Sequence, residues 1–182
     1  MKNQLSAAVE VLNNGGVLIF PTDTVYGIGC KADKIGPIER IYKIKGTAKD
    51  QQFPRLVSNL NQVESEVEIN DAARDLIRRY WPGALTIVFC TRDGKSKIGF
   101  RMPNSNLIIN LINKVKSPLI GTSANFHGFP APKKYEEIDK KLLVLADFTL
   151  KGNCKLKKES TVVDVSQNKP IVLRLGAVKI NN

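Results

Sequence analysis

The sequence contains few of the residues that hold metals or cross-link chains. Its 182 residues include three cysteines and one histidine. The cysteines, Cys30, Cys90 and Cys154, are too scattered for a disulfide framework or a Cys-x-x-Cys zinc site. The single histidine, His127, cannot supply the histidine cluster of a catalytic zinc site. We therefore predict no zinc site and assign no residue to metal binding.

Long apolar runs are also absent. No run approaches the roughly 20 residues that a membrane-spanning helix needs, and the N-terminus lacks the apolar core of a signal peptide. We therefore expect a cytoplasmic protein with no membrane partner. The length and the ordinary hydrophobic fraction of 42% predict one compact domain over residues 1–182.

Acidic residues are the minority charge. Lys and Arg number 28 against 17 Asp and Glu, which gives a formal net charge of +11. This surplus favours polyanionic partners such as nucleotides, RNA or acidic proteins, although for the lysine runs themselves we favour a solvated lysine-rich surface. Few aromatic residues lie near those runs, which disfavours a stacking platform for single-stranded RNA. Charge alone does not distinguish ATP from RNA.

Apolar spacing predicts alternating helices and strands. Helical spacing occurs around residues 5–12, 37–45, 71–81 and 107–115. Strands are predicted at residues 16–20, 55–58, 84–90, 98–102, 119–121, 142–146, 160–165 and 171–175. At least one hairpin, from 84–90 to 98–102, indicates a mixed rather than purely parallel sheet, and so an α/β fold.

Two loops after predicted strands have the polar composition of a ligand site. The stretch from Phe20 to Cys30 combines hydroxyl residues with glycines, and we interpret it as a polar loop leaving the first strand. The loop Thr122-Ser123-Ala124-Asn125 offers hydroxyls, an amide and backbone donors, which suit phosphate or carboxylate oxygens. An Asx or Ser/Thr turn that satisfies its own backbone is the alternative.

Neither common nucleotide fingerprint is complete. Gly94-Lys95-Ser96 resembles the end of a P-loop, but Phe89 occupies the position of its first glycine. The Gly27-x-Gly29 pair is separated from the preceding strand by six residues, whereas a dinucleotide-binding turn follows its strand directly. If ATP binds, it binds by another geometry. A Ser123/His127 hydrolase is also disfavoured, because the sequence around Ser123 is not a nucleophile elbow.

Seven short segments are spread over nearly the whole chain: Pro21-Thr22-Asp23-Thr24-Val25-Tyr26-Gly27, Lys45, Trp81-Pro82-Gly83, Arg101-Met102-Pro103, Ser123-Ala124-Asn125, Ser160-Thr161-Val162-Val163-Asp164 and Leu173-Arg174-Leu175-Gly176-Ala177. Together, and in this order, they resemble the YrdC/TsaC family, the threonylcarbamoyl-AMP synthases. The resemblance implies a twisted mixed sheet with flanking helices around a deep, positively charged cavity. It also implies the short, single-domain form of the family.

The resemblance implies an activity as well. The family condenses L-threonine, bicarbonate or CO2, and ATP into L-threonylcarbamoyl-adenylate and pyrophosphate, and we expect Mg2+ to accompany ATP. The adenylate feeds formation of N6-threonylcarbamoyladenosine in tRNA. The implied partners are therefore the small substrates, tRNA indirectly or weakly, and downstream threonylcarbamoyl-transferase proteins.

Site residues follow from the same matches. The residues implied to be catalytic are Lys45, Ser123 and Asn125. Those implied to bind ATP are Lys45, Ser123, Asn125 and Arg174. Those implied to lie on the threonine side are Thr24, Tyr26, Arg101 and Ser160, with Arg101 and Ser160 holding the carboxylate.

One departure from the family pattern concerns charge. The family has an arginine two residues after the lysine, and this chain has Thr47 there. We predict that Lys49 replaces this charge at the ATP, with Arg55 as an alternative and an altered site as another. Two rival functions remain at this stage: a non-catalytic basic RNA-binding module, and a paralogue that makes another carbamoyl or acyl adenylate.

Overall fold

A computed structural model describes residues 2–49, 52–167 and 169–180. Its helices are α1 (Lys2–Asn13), α2 (Ile35–Lys45), α3 (Asn61–Glu64), α4 (Asp71–Tyr80), α5 (Asn106–Val115) and α6 (Lys140–Leu145), with a short 3₁₀ helix at Tyr135–Glu137. Its strands are β1 (Leu18–Pro21), β2 (Tyr26–Lys31), β3 (Arg55–Leu56), β4 (Leu85–Cys90), β5 (Lys97–Arg101), β6 (Leu119–Ser123), β7 (Phe148–Thr149), β8 (Thr161–Asp164) and β9 (Ile171–Arg174).

All nine strands belong to one sheet, in the order β7-β1-β2-β6-β3-β5-β4-β8-β9. The pairs β1/β7, β3/β5 and β4/β8 are parallel. The pairs β1/β2, β2/β6, β3/β6, β4/β5 and β8/β9 are antiparallel. The predicted mixed α/β sheet is confirmed, including the antiparallel hairpin between β4 and β5.

Local sequence explains where the helices begin and end. The Asn70 side chain caps α4 by accepting a hydrogen bond from the Ala73 backbone N–H at 2.9 Å. Helix α2 ends at Gly46, whose φ of 64° lies in the left-handed region that glycine adopts without strain. Within the described ranges, no helix is long and apolar enough to cross a membrane. The cytoplasmic location stays a prediction from the sequence.

Strand β5 separates the core from a cavity by simple alternation. Ile98 and Phe100 are buried in a hydrophobic cluster beneath the sheet. Lys97, Gly99 and Arg101 point to the opposite face and line the cavity. Because successive side chains of a strand point to opposite faces, a single strand supplies both surfaces.

The predicted strand at residues 142–146 is wrong. This segment lies in helix α6, where the Asp139 side chain caps the N-terminus by accepting from the Lys141 N–H at 2.7 Å. Leu142 is buried, but Val144 is 84% exposed. A short apolar run fits a helix or a strand equally well, and the capping residue before it decided for the helix.

The polar stretch from Phe20 to Cys30 is a loop in its first part alone. Only Thr22 to Val25 leave the sheet, and Tyr26 onwards forms β2, which pairs with β1 and β6. Its glycines serve strand packing, since a Cβ on Gly29 would lie 1.9 Å from the Ile120 carbonyl oxygen. The loop interpretation failed because glycines are also required where strands approach closely.

Candidate functional site

A cavity of about 560 Å³ lies on one face of the sheet. The opposite face carries the hydrophobic cluster that contains Ile98 and Phe100 of β5 and Leu76 of α4. Residues from β1, β2, β4, β5, β6, β8 and β9 line the cavity, so the curved sheet itself forms the walls. Its charged lining residues are Lys97, Arg101, Arg174 and Glu159. A cavity of this size with a few polar groups is typical of a small-molecule site.

Arg101 marks the closed end of the cavity. The residue is 6% exposed. Its guanidinium donates from Nη1 to the Thr24 hydroxyl at 2.9 Å and from Nε to the Gly83 carbonyl at 3.0 Å. Nη2 donates to the Asp23 carboxylate in a buried ion pair. Burial lowers the pKa of Arg101, and the Asp23 charge opposes that shift. The side chain is therefore fixed on three sides before any ligand arrives.

The loop that holds Arg101 is itself organised by hydroxyl groups. The Thr22 hydroxyl donates to the Val25 carbonyl at 2.8 Å and lies 2.8 Å from the Thr24 hydroxyl. The Asp23 carbonyl accepts from the Leu156 N–H at 2.9 Å. These bonds orient the loop so that Asp23 and Thr24 both reach the guanidinium.

Ser160 lies on the wall that leads outward from Arg101. Its hydroxyl is 2.9 Å from the Thr86 hydroxyl. Arg174 donates from Nη2 to the Ser160 hydroxyl at 3.2 Å and to the Ser160 carbonyl at 3.0 Å. Nη1 of Arg174 pairs with Glu159 at 3.1 Å. The structure thus brings Ser160 and Arg174 together in the cavity lining, while their roles toward threonine and ATP stay predictions.

Lys45 lies behind the Ser123 loop rather than among the lining residues. Lys45 as a whole is 5% exposed. Its ammonium donates to the backbone carbonyls of Ser123 at 2.6 Å and Asn125 at 2.7 Å. Burial lowers the pKa of Lys45 to about 8, with Glu159 partly opposing the shift. In this structure Lys45 clamps the loop, and its direct contact with substrate stays a prediction.

Ser123 and Asn125 are placed differently. Ser123 lines the cavity. The Asn125 amide instead donates to the carbonyls of Phe126 at 3.0 Å and Phe129 at 2.7 Å. Its Oδ1 atom is buried and has no hydrogen-bond partner in the described part of the chain. Asn125 therefore shapes the loop here, while one of its acceptors is still unused.

Tyr26 lines the cavity, but its hydroxyl is already bonded. The hydroxyl donates to the Gly152 carbonyl at 2.7 Å and accepts from the Gly152 N–H at 3.0 Å. Burial raises the pKa of Tyr26. Tyr26 thus contributes a wall, and Thr24 beside Arg101 contributes a polar group.

The two basic residues that could replace the missing family arginine do not line the cavity. Lys49 forms an exposed ion pair with Glu39 at 2.8 Å, and Arg55 pairs with Glu66. The Thr47 hydroxyl is buried and has no partner among the residues described. The assignment of Lys49 to ATP stays a prediction, although the structure gives its ammonium another partner.

The sequence analysis missed three charged groups at this site: Asp23, Lys97 and Glu159. Asp23 lies within the segment from Pro21 to Gly27 that resembles the family, and Glu159 directly precedes Ser160. Lys97 lies four residues before Arg101 on one strand, so alternation with a period of two could have placed both on one face. In the ranges that the structure covers, no group of three or more His, Cys, Asp or Glu could hold a metal ion.

Comparisons with known proteins identify a family and relatives of similar sequence and fold. A family model named Sua5_yciO_yrdC and described as "Telomere recombination" matches residues 10–176. A putative threonylcarbamoyl-AMP synthase from Methanocaldococcus jannaschii is 34% identical, with 94% of this chain and 84% of that protein covered.

Solved structures resemble the fold over nearly its full length. The P. abyssi Sua5 complexed with L-threonine superposes with a TM-score of 0.90 at 28% identity, covering 97% of this chain and 55% of Sua5. The E. coli YciO structure gives 0.87 at 25% identity, covering 97% of this chain and 90% of YciO. The chain therefore spans about half of Sua5 and most of YciO.

Proposed function

The chain belongs to the Sua5/YciO/YrdC family, and from that premise we propose that it is an L-threonylcarbamoyl-adenylate synthase. The enzyme condenses L-threonine, bicarbonate or CO2, and ATP, and releases pyrophosphate. The observation that carries the proposal is the buried Arg101 guanidinium, oriented by Asp23 and Thr24 at the closed end of the cavity.

Arg101 has the chemistry of a carboxylate site. A guanidinium has five N–H donors. Arg101 uses three of them, one each for Asp23, Thr24 and Gly83. Two donors therefore remain for a ligand. With the Ser160 hydroxyl nearby, they hold the threonine carboxylate, which leaves the amine free to point outward along the cavity.

The outer part of the cavity suits ATP. Ser123 and Arg174 line it, and the Lys45 clamp keeps the Ser123 loop in one conformation. Mg2+ commonly binds through one or two carboxylates together with substrate phosphates. Glu159 in the lining is the residue that would hold an ion arriving with ATP, where the ion would neutralise phosphate charge.

The reaction needs alignment and positive charge more than acid or base groups. The neutral threonine amine adds to CO2 and releases a proton to water, which gives a carbamate. A carbamate oxygen then forms a bond to the α-phosphorus while the bond from that phosphorus to the leaving pyrophosphate breaks. Arg101 and Ser160 position the nucleophile, and Arg174 and the Ser123 loop position the phosphates. Fixed donors stabilise the charge that develops on the phosphates in the transition state.

The proposal includes a biological destination for the product. The adenylate would pass to threonylcarbamoyl-transferase proteins that modify adenosine in tRNA, and tRNA itself would be bound indirectly or weakly. The cytoplasm is the proposed location. The net charge of +11 is consistent with weak attraction to such a polyanion.

Pyrophosphate release tests the proposed function. The complete reaction with ATP, L-threonine and bicarbonate should release pyrophosphate, and omission of threonine or bicarbonate should abolish the release. Glycine in place of threonine is a matched control, because it keeps the amine and carboxylate but lacks the side chain. Equal release without threonine would overturn the proposal.

Thr47 favours a second candidate, a paralogue that makes another carbamoyl or acyl adenylate. The lost family arginine removes a charge that the phosphates of the synthase reaction would otherwise meet. A panel of amino acids assayed for bicarbonate-dependent pyrophosphate release separates the two functions, because the synthase prefers threonine and the paralogue prefers another acid. RNA binding without any turnover would support the non-catalytic module instead.

A further inference from the structure

ATP brings a highly charged triphosphate, and the position that supplies an arginine elsewhere in the family is Thr47 here. The two nearby basic residues predicted to replace it are engaged elsewhere, Lys49 with Glu39 and Arg55 with Glu66. Neither lines the cavity. The charge that the phosphates need must therefore come from another element if the chain uses ATP.

Lys97 is a cation of the cavity lining that meets this need. It begins β5, lines the cavity, and shares a face with Arg101 at the other end of the same strand. Four residues of extended strand separate the two Cα atoms by about 13 Å. This separation suits two substrates bound end to end, with threonine at Arg101 and phosphates at Lys97.

Gly99 lies between the two cations on β5 and places no side chain in the cavity. A Cβ at that position would lie 3.3 Å from the Pro54 Cβ and 3.4 Å from the Thr86 Cγ2, so any larger side chain would crowd the cavity. Glycine leaves room for a ligand to run along β5. The cavity therefore connects Arg101 with Lys97 without an obstructing side chain between them.

Asp164 holds the Lys97 ammonium in place. Its Oδ2 atom accepts from Nζ at 2.8 Å, and its side chain is 9% exposed against 52% for Lys97. Burial alone would raise the pKa of Asp164, but the bonds from Lys97 and Ser166 outweigh it and the pKa is lowered. An ammonium has three donors, so two remain for a ligand.

We propose that Lys97 binds the β- and γ-phosphates of ATP and supplies the charge that Thr47 lacks. This inference rests on the proposed function for the identity of the ligand. Lys97 acts as a point charge from the strand side of the cavity, whereas an arginine at position 47 would approach from the end of α2. Asp164 keeps the ammonium in the cavity wall before ATP binds.

The first experiment compares nucleotide affinities by calorimetry. Lys97→Ala should weaken binding of ATP about tenfold, because one charge-assisted phosphate contact is lost, and should change AMP binding less than about twofold. Lys95→Ala is the matched control: it removes the same charge two residues away, at an exposed turn position outside the lining. It should bind ATP as the wild type does.

A second variant separates direct contact from a side effect. Removing Lys97 leaves the Asp164 carboxylate unpaired, and that charge would itself repel phosphate. In the double variant Lys97→Ala with Asp164→Asn, ATP binding should stay weak if Lys97 touches the phosphates. Full recovery in the double variant, or equal weakening of ATP and AMP, would overturn the inference. Lys97→Arg should retain most of the affinity.

This test and the test of the proposed function fail in different ways. Unchanged ATP affinity in Lys97→Ala, with threonine-dependent product from the wild type, overturns the role of Lys97 and leaves the synthase standing. Selective loss of ATP affinity, with no threonine-dependent product, supports a triphosphate site at Lys97 and overturns the synthase. Thermal unfolding of each variant checks that the sheet remains folded.

Discussion

The two ends of the cavity are built in different ways. At the closed end, the Arg101 and Asp23 side chains are 7% and 4% exposed and share a buried network with Thr24. At the open end, Arg174 and Glu159 are 47% and 41% exposed, and Lys97 is 52% exposed. The inner cation and its carboxylate are both buried, whereas the outer cations are about half exposed, with Arg174 bonded to Glu159 and Ser160 and Lys97 bonded to Asp164.

This contrast separates recognition from neutralisation. A buried guanidinium with fixed partners presents its remaining donors in one geometry, which selects a small planar carboxylate. Half-exposed cations can turn toward a long, flexible triphosphate: Arg174 loses little by leaving the exposed Glu159, and Lys97 has two donors left while it stays bonded to Asp164. We therefore expect substitutions at the inner end to be severe and specific, and substitutions at the outer end to be milder.

The largest effect is expected for Arg101→Ala. Asp23 would be left as an uncompensated buried charge, which destabilises the fold by about 3–5 kcal/mol. Threonine use would fall at least about a hundredfold, because the carboxylate would lose its charged donors. Denaturant unfolding and the KM for threonine measure the two losses. Arg101→Lys is the control, since it keeps the charge but not the fork, and wild-type threonine use in either variant would contradict the assignment.

Asp23→Asn should have the next largest effect. The amide keeps the shape of the carboxylate but leaves the guanidinium without its buried counter-charge, so its donors lose their orientation. The KM for threonine should rise about tenfold, with ATP affinity within about twofold. Steady-state kinetics with each substrate varied separately give this split. Equal loss for both substrates would show that the two ends are not independent.

The Lys45 clamp predicts a pH dependence. The pKa of Lys45 is lowered to about 8, so the ammonium loses its proton as the pH rises through that value. The charge-assisted bonds to Ser123 and Asn125 then weaken, and turnover should decline on the alkaline side by about tenfold or less. Lys45→Arg stays charged there, and the ratio of its turnover to that of the wild type should rise above pH 8. A constant ratio would rule out the clamp.

Lys49→Ala should have the smallest effect. Lys49 lies in an exposed pair with Glu39, and such pairs contribute roughly 0–1 kcal/mol. ATP affinity should change less than about twofold, against about tenfold for Lys97→Ala. Thr47→Arg should partly restore ATP affinity in the Lys97→Ala background, because it adds a charge near the end of α2. A large loss in Lys49→Ala would return the phosphate contact to Lys49.

Much of the fold follows from the sequence because its apolar runs have the lengths of strands and helices and are bounded by turn residues. The β4/β5 hairpin and the helix at α4 agree with the predicted pattern to within a residue or two. The sequence failed where local signals are ambiguous: residues 142–146 are apolar in a way that suits either structure, and β2 begins within a stretch rich in glycine. Contacts with β6 and the Asp139 cap decided these cases.

The candidate site is predictable in its inner part more than in its outer part. Thr24, Arg101 and Ser160 lie in motifs, and the structure brings them to one cavity. The Arg101 partner Asp23 and the position of Lys97 depend on three-dimensional packing. Lys49 is predicted to replace the missing arginine because it is near Thr47 in sequence, whereas the proposal for Lys97 depends on its place on a distant strand, on the same face as Arg101.

The most direct test of the account is mass spectrometric detection of the product. The protein is incubated with ATP, L-threonine and bicarbonate labelled with heavy carbon, and the mixture is analysed at once because the adenylate is labile. The account predicts threonylcarbamoyl-adenylate that carries the heavy carbon in the wild type and in Lys95→Ala, with a sharp loss in Arg101→Lys. A wild-type protein that releases pyrophosphate but forms no labelled threonylcarbamoyl-adenylate would contradict it.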